Sequence, residues 1–151
     1  MAPVVRLHPT RVLVVSTDLP FHDRARLVLG PLGRVICAVM SLDEPRDVAS
    51  LAVQERADVV LLDATDCEHA APAVMTALAE AAPRVGVASV CHHCTDAARD
   101  IGALPKWGWT QDLRAGVEDA YRAGNPLSPL ALRSLRRRPP WQRIAGPLPH
   151  R

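Results

Sequence analysis

The stretch Ala57-Asp58-Val59-Val60-Leu61-Leu62-Asp63 decides the fold of this 151-residue chain. Four consecutive aliphatic residues are typical of a strand that is covered on both faces, as in parallel sheets flanked by helices. Asp63 ends this apolar run with a single carboxylate. Ligands of open α/β sheets collect beyond the carboxyl ends of the strands, near the point where the strand order reverses. Asp63 is therefore the first candidate for chemistry.

Further apolar runs alternate with helical patterns along the chain. Strands are predicted at residues 11–15, 34–39, 58–63 and 84–90, with a weaker fifth strand within 103–109. Helices are predicted at residues 22–29, 70–82, 95–101 and 112–123, and another follows a capping box at Ser41-x-x-Glu44 and leads to Glu55. Short connections between alternating strands and helices predict an α/β fold with a doubly wound, flavodoxin-like parallel sheet of five strands. The expected strand order is 2-1-3-4-5.

Composition and charge indicate one domain with a tail. The chain is 48% hydrophobic but only 3% aromatic, so its core is built from Val, Leu and Ala. Residues 1–119 hold 11 basic and 16 acidic side chains, whereas residues 120–151 hold seven arginines and no acid. We expect an N-terminal arm at 1–8, a domain at 9–124 and a basic Pro/Arg-rich tail at 125–151. The tail could contact the phosphates of nucleic acid or dock on an acidic partner.

The cysteines and the N-terminus indicate the compartment. A core of this size needs no disulfide scaffold, and no apolar run reaches the length of a signal sequence or of a membrane span. We therefore expect a cytoplasmic protein with reduced thiols and no membrane contact.

The pattern of residues 9–124 resembles the receiver domain of bacterial response regulators. The features that carry the resemblance are Val12-Leu13-Val14-Val15 before a polar turn, the 57–63 stretch, a fourth strand that ends in Ser89, and Gly102-Ala103. The resemblance implies that Asp63 stands at the phosphoacceptor position and that Ser89 responds to the phosphorylated state. It also implies a role in two-component signal transduction or transcription control.

The metal-binding positions depart from the receiver pattern. Receivers carry two acids after the first strand to hold Mg²⁺, and here those positions read Ser16 and Thr17, with Asp18 one place later. Hydroxyls bring no charge, whereas Mg²⁺ usually binds one or two carboxylates together with phosphate oxygens. Asp63 could equally have a structural role, with hydrogen bonds from Ser16, Thr17 or backbone amides.

The lysine that pairs with the acceptor in receivers is also missing from the predicted site. Counting from Gly102-Ala103 places Trp109 at that position, and Lys106 nearer the position of a switching aromatic residue. The predicted pocket therefore combines Asp63 with Ser16, Thr17, Asp18, Ser89 and Trp109. Because phosphoryl transfer depends on positioning and electrostatics, we expect inefficient Mg²⁺-dependent phosphorylation of Asp63.

A second cluster of candidate ligands follows the third and fourth strands, consisting of Cys67, His69, Cys91 and Cys94. Thiolate and imidazole groups are the usual ligands of tetrahedral zinc, but Cys67-x-His69 has an unusual spacing. A polar loop with half-buried cysteines explains the same residues without a metal.

These observations together predict a protein that is not an enzyme, because no other catalytic motif is present. The main hypothesis is an atypical receiver domain that acts through contact with a protein partner and needs no cofactor. The partner could be a second copy, bound through the last strand and helix with Trp107 and Trp109. One alternative is a sensor that binds a metal such as Zn²⁺, or a small ligand, at the Cys/His loops. The other is a phosphoacceptor that uses Asp63 and Mg²⁺.

Overall fold

Five parallel strands form a single sheet with the order β2-β1-β3-β4-β5 in the computed structural model, which describes residues 9–93 and 102–125. The strands are β1 (Thr10–Ser16), β2 (Gly33–Val39), β3 (Val59–Asp63), β4 (Gly86–Cys91) and β5 (Leu104–Pro105). The helices are α1 (Leu19–Leu29), α2 (Pro45–Gln54), α3 (Ala71–Ala81) and α4 (Thr110–Ala123). The predicted fold class and strand order are confirmed.

Both faces of the sheet are buried, as the aliphatic runs predict. Along β1, Val12 and Val14 belong to a core cluster shared with α1 and α4, whereas Leu13 and Val15 belong to a cluster shared with α2 and α3. Alternate residues of a strand point to opposite faces, so each strand contributes to both clusters. The central strands are consequently fixed in register, and their carboxyl ends meet at one edge of the sheet.

The capping box predicted for α2 is wrong. The Ser41 hydroxyl accepts the backbone N–H of Asp43 at 3.1 Å and donates to the Asp43 carboxylate at 3.2 Å. Glu44 is the N-cap residue, and its side chain makes no capping hydrogen bond. A serine hydroxyl can bond a backbone amide two residues on, and this local turn competes with the capping arrangement.

Strand β5 is much shorter than the predicted segment. Only Leu104 and Pro105 pair with β4, opposite Val90 and Cys91. Pro105 has no N–H to donate, which confines it to an edge strand. The next residue, Lys106, donates its backbone N–H to the carbonyl of Cys91 at 3.0 Å. Because the strand is this short, Lys106 lies at the carboxyl edge of the sheet.

Several predicted segments lie outside the described residues. These are the arm at 1–8, the helix at 95–101, and residues 126–151 with their predicted nucleic-acid contact. Asn125 is described and buried, and its side-chain amide donates to the carbonyl of Met75 at 2.7 Å. None of the helices within 9–93 and 102–125 is long and apolar enough to cross a membrane.

Two glycines provide a matched test of how closely α4 packs on the sheet. A Cβ atom at Gly86 would overlap the carbonyl oxygen of Ala120 in α4, whereas a Cβ atom at Gly30 would meet open space. We expect Gly86→Ala to lower the free energy of unfolding by about 1–3 kcal/mol, as overpacking does. Gly30→Ala should leave it unchanged or raise it slightly. Urea unfolding of both variants measures the difference, and equal stabilities would contradict this packing.

Candidate functional site

Asp63 lies at the carboxyl edge of the sheet, where β3 ends between β1 and β4. The hydroxyl of Ser16, at the end of β1, donates to Asp63 Oδ2 at 2.6 Å. The same hydroxyl accepts the backbone N–H of Asp18 at 3.0 Å. Ser16 thus connects the end of β1, the start of α1 and the Asp63 carboxylate, and its only hydroxyl proton is directed to Asp63.

Lys106 is the centre of the site, and its place was predicted wrongly. Its Nζ lies 2.7 Å from Asp18 Oδ2 and 2.8 Å from Asp63 Oδ2. Its side chain is 5% exposed, compared with 6% for Asp63 and 30% for Asp18. Trp109, which the count from Gly102-Ala103 assigned to this position, is 75% exposed and precedes α4. The count assumed a longer fifth strand. In the structure β5 ends at Pro105, so the residue that follows the strand is Lys106.

The charges of this cluster stabilise one another. Burial raises the pKa of Asp63, but the hydrogen bonds from Lys106, Ser16 and Thr65 outweigh it and leave the pKa below the ordinary value of 3.8. Burial lowers the pKa of Lys106, but Asp18 and Asp63 outweigh it and leave the pKa above the ordinary value of 10.5. At neutral pH the site therefore holds one ammonium between two carboxylates.

Aromatic rings cover the ammonium on its other side. Lys106 Nζ lies 5.4 Å from the ring centroid of Phe21 and 5.5 Å from that of Trp107, within cation–π range. The two rings pack edge to face with centroids 5.8 Å apart. The guanidinium of Arg24 lies 5.9 Å from the Trp107 ring, and one of its NH₂ groups donates to the carbonyl of Gly108. These contacts hold the turn after β5 against α1.

Thr65 is a site residue that the sequence analysis missed. Its backbone N–H donates to Asp63 Oδ1 at 3.1 Å, and its hydroxyl accepts the backbone N–H of His92 at 3.2 Å. Both carboxylate oxygens of Asp63 thus have partners, and the loop after β3 is tied to the loop after β4.

Two predicted pocket residues stand apart from this cluster. Ser89 is buried and lies opposite Leu62, one position before the pair of Asp63 with Val90. It lines a cavity of about 300 Å³ beside β5 and α4. Thr17 is exposed. Neither is among the residues whose hydrogen bonds lower the pKa of Asp63.

The Cys/His residues are spread over the same edge. Cys67 Sγ contacts the carbonyl oxygens of Asp63 at 3.6 Å and Thr65 at 3.4 Å. Burial, together with the charge of Asp63, raises the pKa of the Cys67 thiol. His69 is exposed, and Cys91 is disulfide-bonded, which differs from the expected reduced thiols.

Cys94, the fourth predicted ligand, lies outside the described residues. Among residues 9–93 and 102–125, no group of three or more His, Cys, Asp or Glu side chains is placed to hold a metal ion.

Removal of Lys106 tests the energetic role of the cluster. We expect Lys106→Met to lower the free energy of unfolding by about 3 kcal/mol at neutral pH, because two carboxylates lose their ammonium. Arg122→Met is the matched control, since Arg122 is exposed and its ion pairs to half-buried Glu118 and exposed Asp119 are longer, so its loss should cost less than about 1 kcal/mol. Urea unfolding measures both losses.

The pH dependence of the same measurement follows from the pKa shifts. The pKa of Asp63 is lowered in the fold, so its ionised form stabilises the native protein at neutral pH. This contribution is lost progressively as the pH falls from the pKa of an unfolded Asp, about 4, to the lower pKa of Asp63 in the folded protein. We therefore expect the cost of Lys106→Met to shrink in acid. A cost that stays constant between neutral and acidic pH would contradict the ion-pair geometry.

Comparison with known proteins places this geometry in a receiver-like fold. The sequence matches no protein-family model and no curated protein. A response regulator receiver protein from Burkholderia phymatum is 25% identical, with a TM-score of 0.55 over 78% of this chain and 99% of that chain.

Two further solved structures are similar at lower identity. A CheY-like protein (tadZ) from Pseudomonas aeruginosa is 15% identical, with a TM-score of 0.59 over 74% of this chain and 98% of that chain. A response regulator receiver protein from Sinorhizobium medicae is 16% identical, with a TM-score of 0.59 over 78% and 98% of the two chains. The chain therefore has the fold of response regulator receiver domains, at low sequence identity.

Proposed function

We propose that this protein is a signalling module that acts through contact with a protein partner and does not require Mg²⁺-dependent phosphorylation. The receiver-like fold supports a signalling role. The single observation that carries the rest is the Ser16 hydroxyl, which stands where receivers carry a metal-binding acid and donates to Asp63 Oδ2 at 2.6 Å.

The residues at this edge do not fit a Mg²⁺ site. Mg²⁺ requires near-octahedral oxygen ligands, commonly including one or two carboxylates. Here Ser16 and Thr17 offer hydroxyls at the positions where receivers carry acids, and the Ser16 hydroxyl directs its proton to Asp63. A divalent ion at this place would meet the Lys106 ammonium already in contact with Asp18 and Asp63. Its approach would bring two positive charges beside a buried third one.

The electrostatics of phosphoryl transfer support the same proposal. The transferred group carries negative charge on its equatorial oxygens, and catalysis consists mainly of cations positioned to stabilise that charge. In this protein Lys106 is the single cation in contact with Asp63 within the described residues, and Asp18 already shares it. Asp63 consequently serves as one member of a structural ion cluster.

A phosphoacceptor role is the second candidate, and one specific observation favours it. The sequence analysis expected no lysine beside Asp63, yet Lys106 lies there at 2.8 Å. Asp18, at 30% exposure, can be reached from solvent. One of the two elements that were expected to be missing is thus present, whereas the two acid positions after β1 hold Ser16 and Thr17, with Asp18 one place later.

A small phosphodonor separates the two candidates. We expect no mass increase of about 80 Da, the mass of one phosphoryl group, when the protein is incubated with acetyl phosphate and Mg²⁺ and measured intact. The double substitution Ser16→Asp with Thr17→Asp restores the acids of the receiver pattern and should permit the adduct. Circular dichroism confirms that the variant is folded. An adduct on the unsubstituted protein that disappears in Asp63→Asn would establish the phosphoacceptor instead.

The surface formed by the turn after β5 and the start of α4 is the proposed contact region. Trp107 is 41% exposed and Trp109 is 75% exposed. Both lie within three residues of Lys106 in the sequence. Exposed tryptophans are enriched at protein interfaces, where they often contribute much of the binding energy. Because Lys106 contacts the Trp107 ring, the conformation of this surface depends on the ion cluster.

A second copy of the chain is the first partner to test. We expect sedimentation velocity to show concentration-dependent dimers, and Trp109→Ser to shift the population to monomers. Leu27→Ser is the matched control, because Leu27 is 80% exposed on α1 and outside the proposed surface. Equal dimerisation of both variants would exclude Trp109 from the contact. A protein that stays monomeric at high concentration would leave only other proteins as partners.

A further inference from the structure

A second cluster of charges lies at the amino-terminal edge of the sheet, opposite the edge that holds Asp63. Arg11 at the start of β1, Arg34 at the start of β2 and Arg56 after α2 line one cavity together with Pro9 and Asp58. The cavity has a volume of about 440 Å³. We infer that it binds a small molecule that carries phosphate groups. This inference does not depend on the function proposed above.

The charge of this cavity is unbalanced. Among the described residues that line it are three arginines and one acid, Asp58, whose Oδ2 atom accepts the backbone N–H of Arg11 at 2.8 Å. Arg11 and Arg34 are direct partners across the parallel pair of β1 and β2. Like charges at neighbouring positions of a sheet destabilise the fold. A bound anion would reduce this repulsion.

Two of the three guanidinium groups are available to a ligand. Arg11 Nε donates to the carbonyl oxygen of Glu55 at 3.1 Å, so this side chain is already positioned by the protein. The side chains of Arg34 and Arg56 are exposed, and they make no hydrogen bond or ion pair within 9–93 and 102–125. Arg56 has a φ of 52°, in the left-handed region that is uncommon for residues other than Gly, Asn and Asp.

The chemistry of the lining selects the class of ligand. Guanidinium groups form paired hydrogen bonds with phosphate oxygens, and three of them suit a group with two or more negative charges. The volume lies within the range of small-molecule sites, which is about 300–1,000 Å³. The methylene stems of the arginines and the ring of Pro9 add an apolar wall. A diphosphate or a phosphate ester with a small organic group therefore fits better than a simple inorganic ion.

Pyrophosphate is the probe for a direct test on the full chain. Isothermal titration at fixed ionic strength should show saturable binding to the unsubstituted protein, and thermal unfolding should shift upward with pyrophosphate concentration. The double substitution Arg34→Ala with Arg56→Ala should weaken binding by about tenfold or more, as expected for lost charged hydrogen bonds. Arg11 is kept, because its contacts to Glu55 and Asp58 support the fold.

A matched control separates the cavity from general attraction to a basic chain. Arg46→Ala with Arg84→Ala removes the same charge from two exposed positions outside the cavity and should bind pyrophosphate as the unsubstituted protein does. Asp63→Asn should also bind normally, because Asp63 lies at the other edge of the sheet. Equal weakening in the two arginine pairs, or no binding at all, would overturn the inference. Binding to anionic phospholipid vesicles without binding to pyrophosphate would also overturn it, in favour of a membrane surface.

Discussion

The contact of one buried ammonium with two carboxylates is the interaction on which the carboxyl edge of this protein depends. Asp63 ends a strand that is covered on both faces, so its charge is largely removed from water. Transfer of a charge from water costs several kcal/mol, which only a close and well-oriented partner can offset. Lys106 provides that partner at 2.8 Å, and Asp18 contacts the same ammonium at 2.7 Å. The turn after β5 and the start of α1 are thereby fixed to the central strand.

The same interaction links the site to the exposed tryptophans. Lys106 and Trp107 are consecutive, and the ring of Trp107 contacts both the Lys106 ammonium and Phe21 of α1. A change in the charge around Asp63 would act on Lys106 first, and the neighbouring aromatic surface would follow. The proposed function needs no phosphoryl group for such coupling, since any partner that favours one arrangement of this turn also shifts the ion cluster.

The fold could be predicted from the sequence because it depends on local patterns that repeat. Aliphatic runs of strand length and the intervening amphipathic segments fix the layers, and the handedness of crossover connections leaves few strand orders to consider. The position of Lys106 could not be predicted in the same way. It depends on the two-residue length of β5, which is set by pairing with β4 and by Pro105.

A different signal, which was not used, could have indicated Lys106. Lysine occurs once in this chain, at position 106, against seventeen arginines. A compact ammonium fits between two carboxylates in a way that a planar guanidinium does not, so a single lysine in an arginine-rich protein indicates a special position. The hydrogen-bond partners of hydroxyl groups were harder to predict from the sequence. Ser16 bonds Asp63 as one alternative expected, whereas Ser41 bonds its own turn, because several backbone partners compete for each hydroxyl.

Parallel topology explains why charged residues distant in the sequence gather at both edges of the sheet. All strands run in the same direction, so the residues that begin them meet at one edge and the residues that end them meet at the other. Arg11 and Arg34 flank the starts of two adjacent strands, and Asp58 precedes a third. At the other edge, Ser16 ends β1, Asp63 ends β3 and Lys106 follows β5. One edge carries two acids that share one lysine, whereas the described residues of the other edge include three arginines and Asp58. The strand order is therefore what brings Arg11, Arg34 and Arg56 together at the cavity for which an anion is proposed.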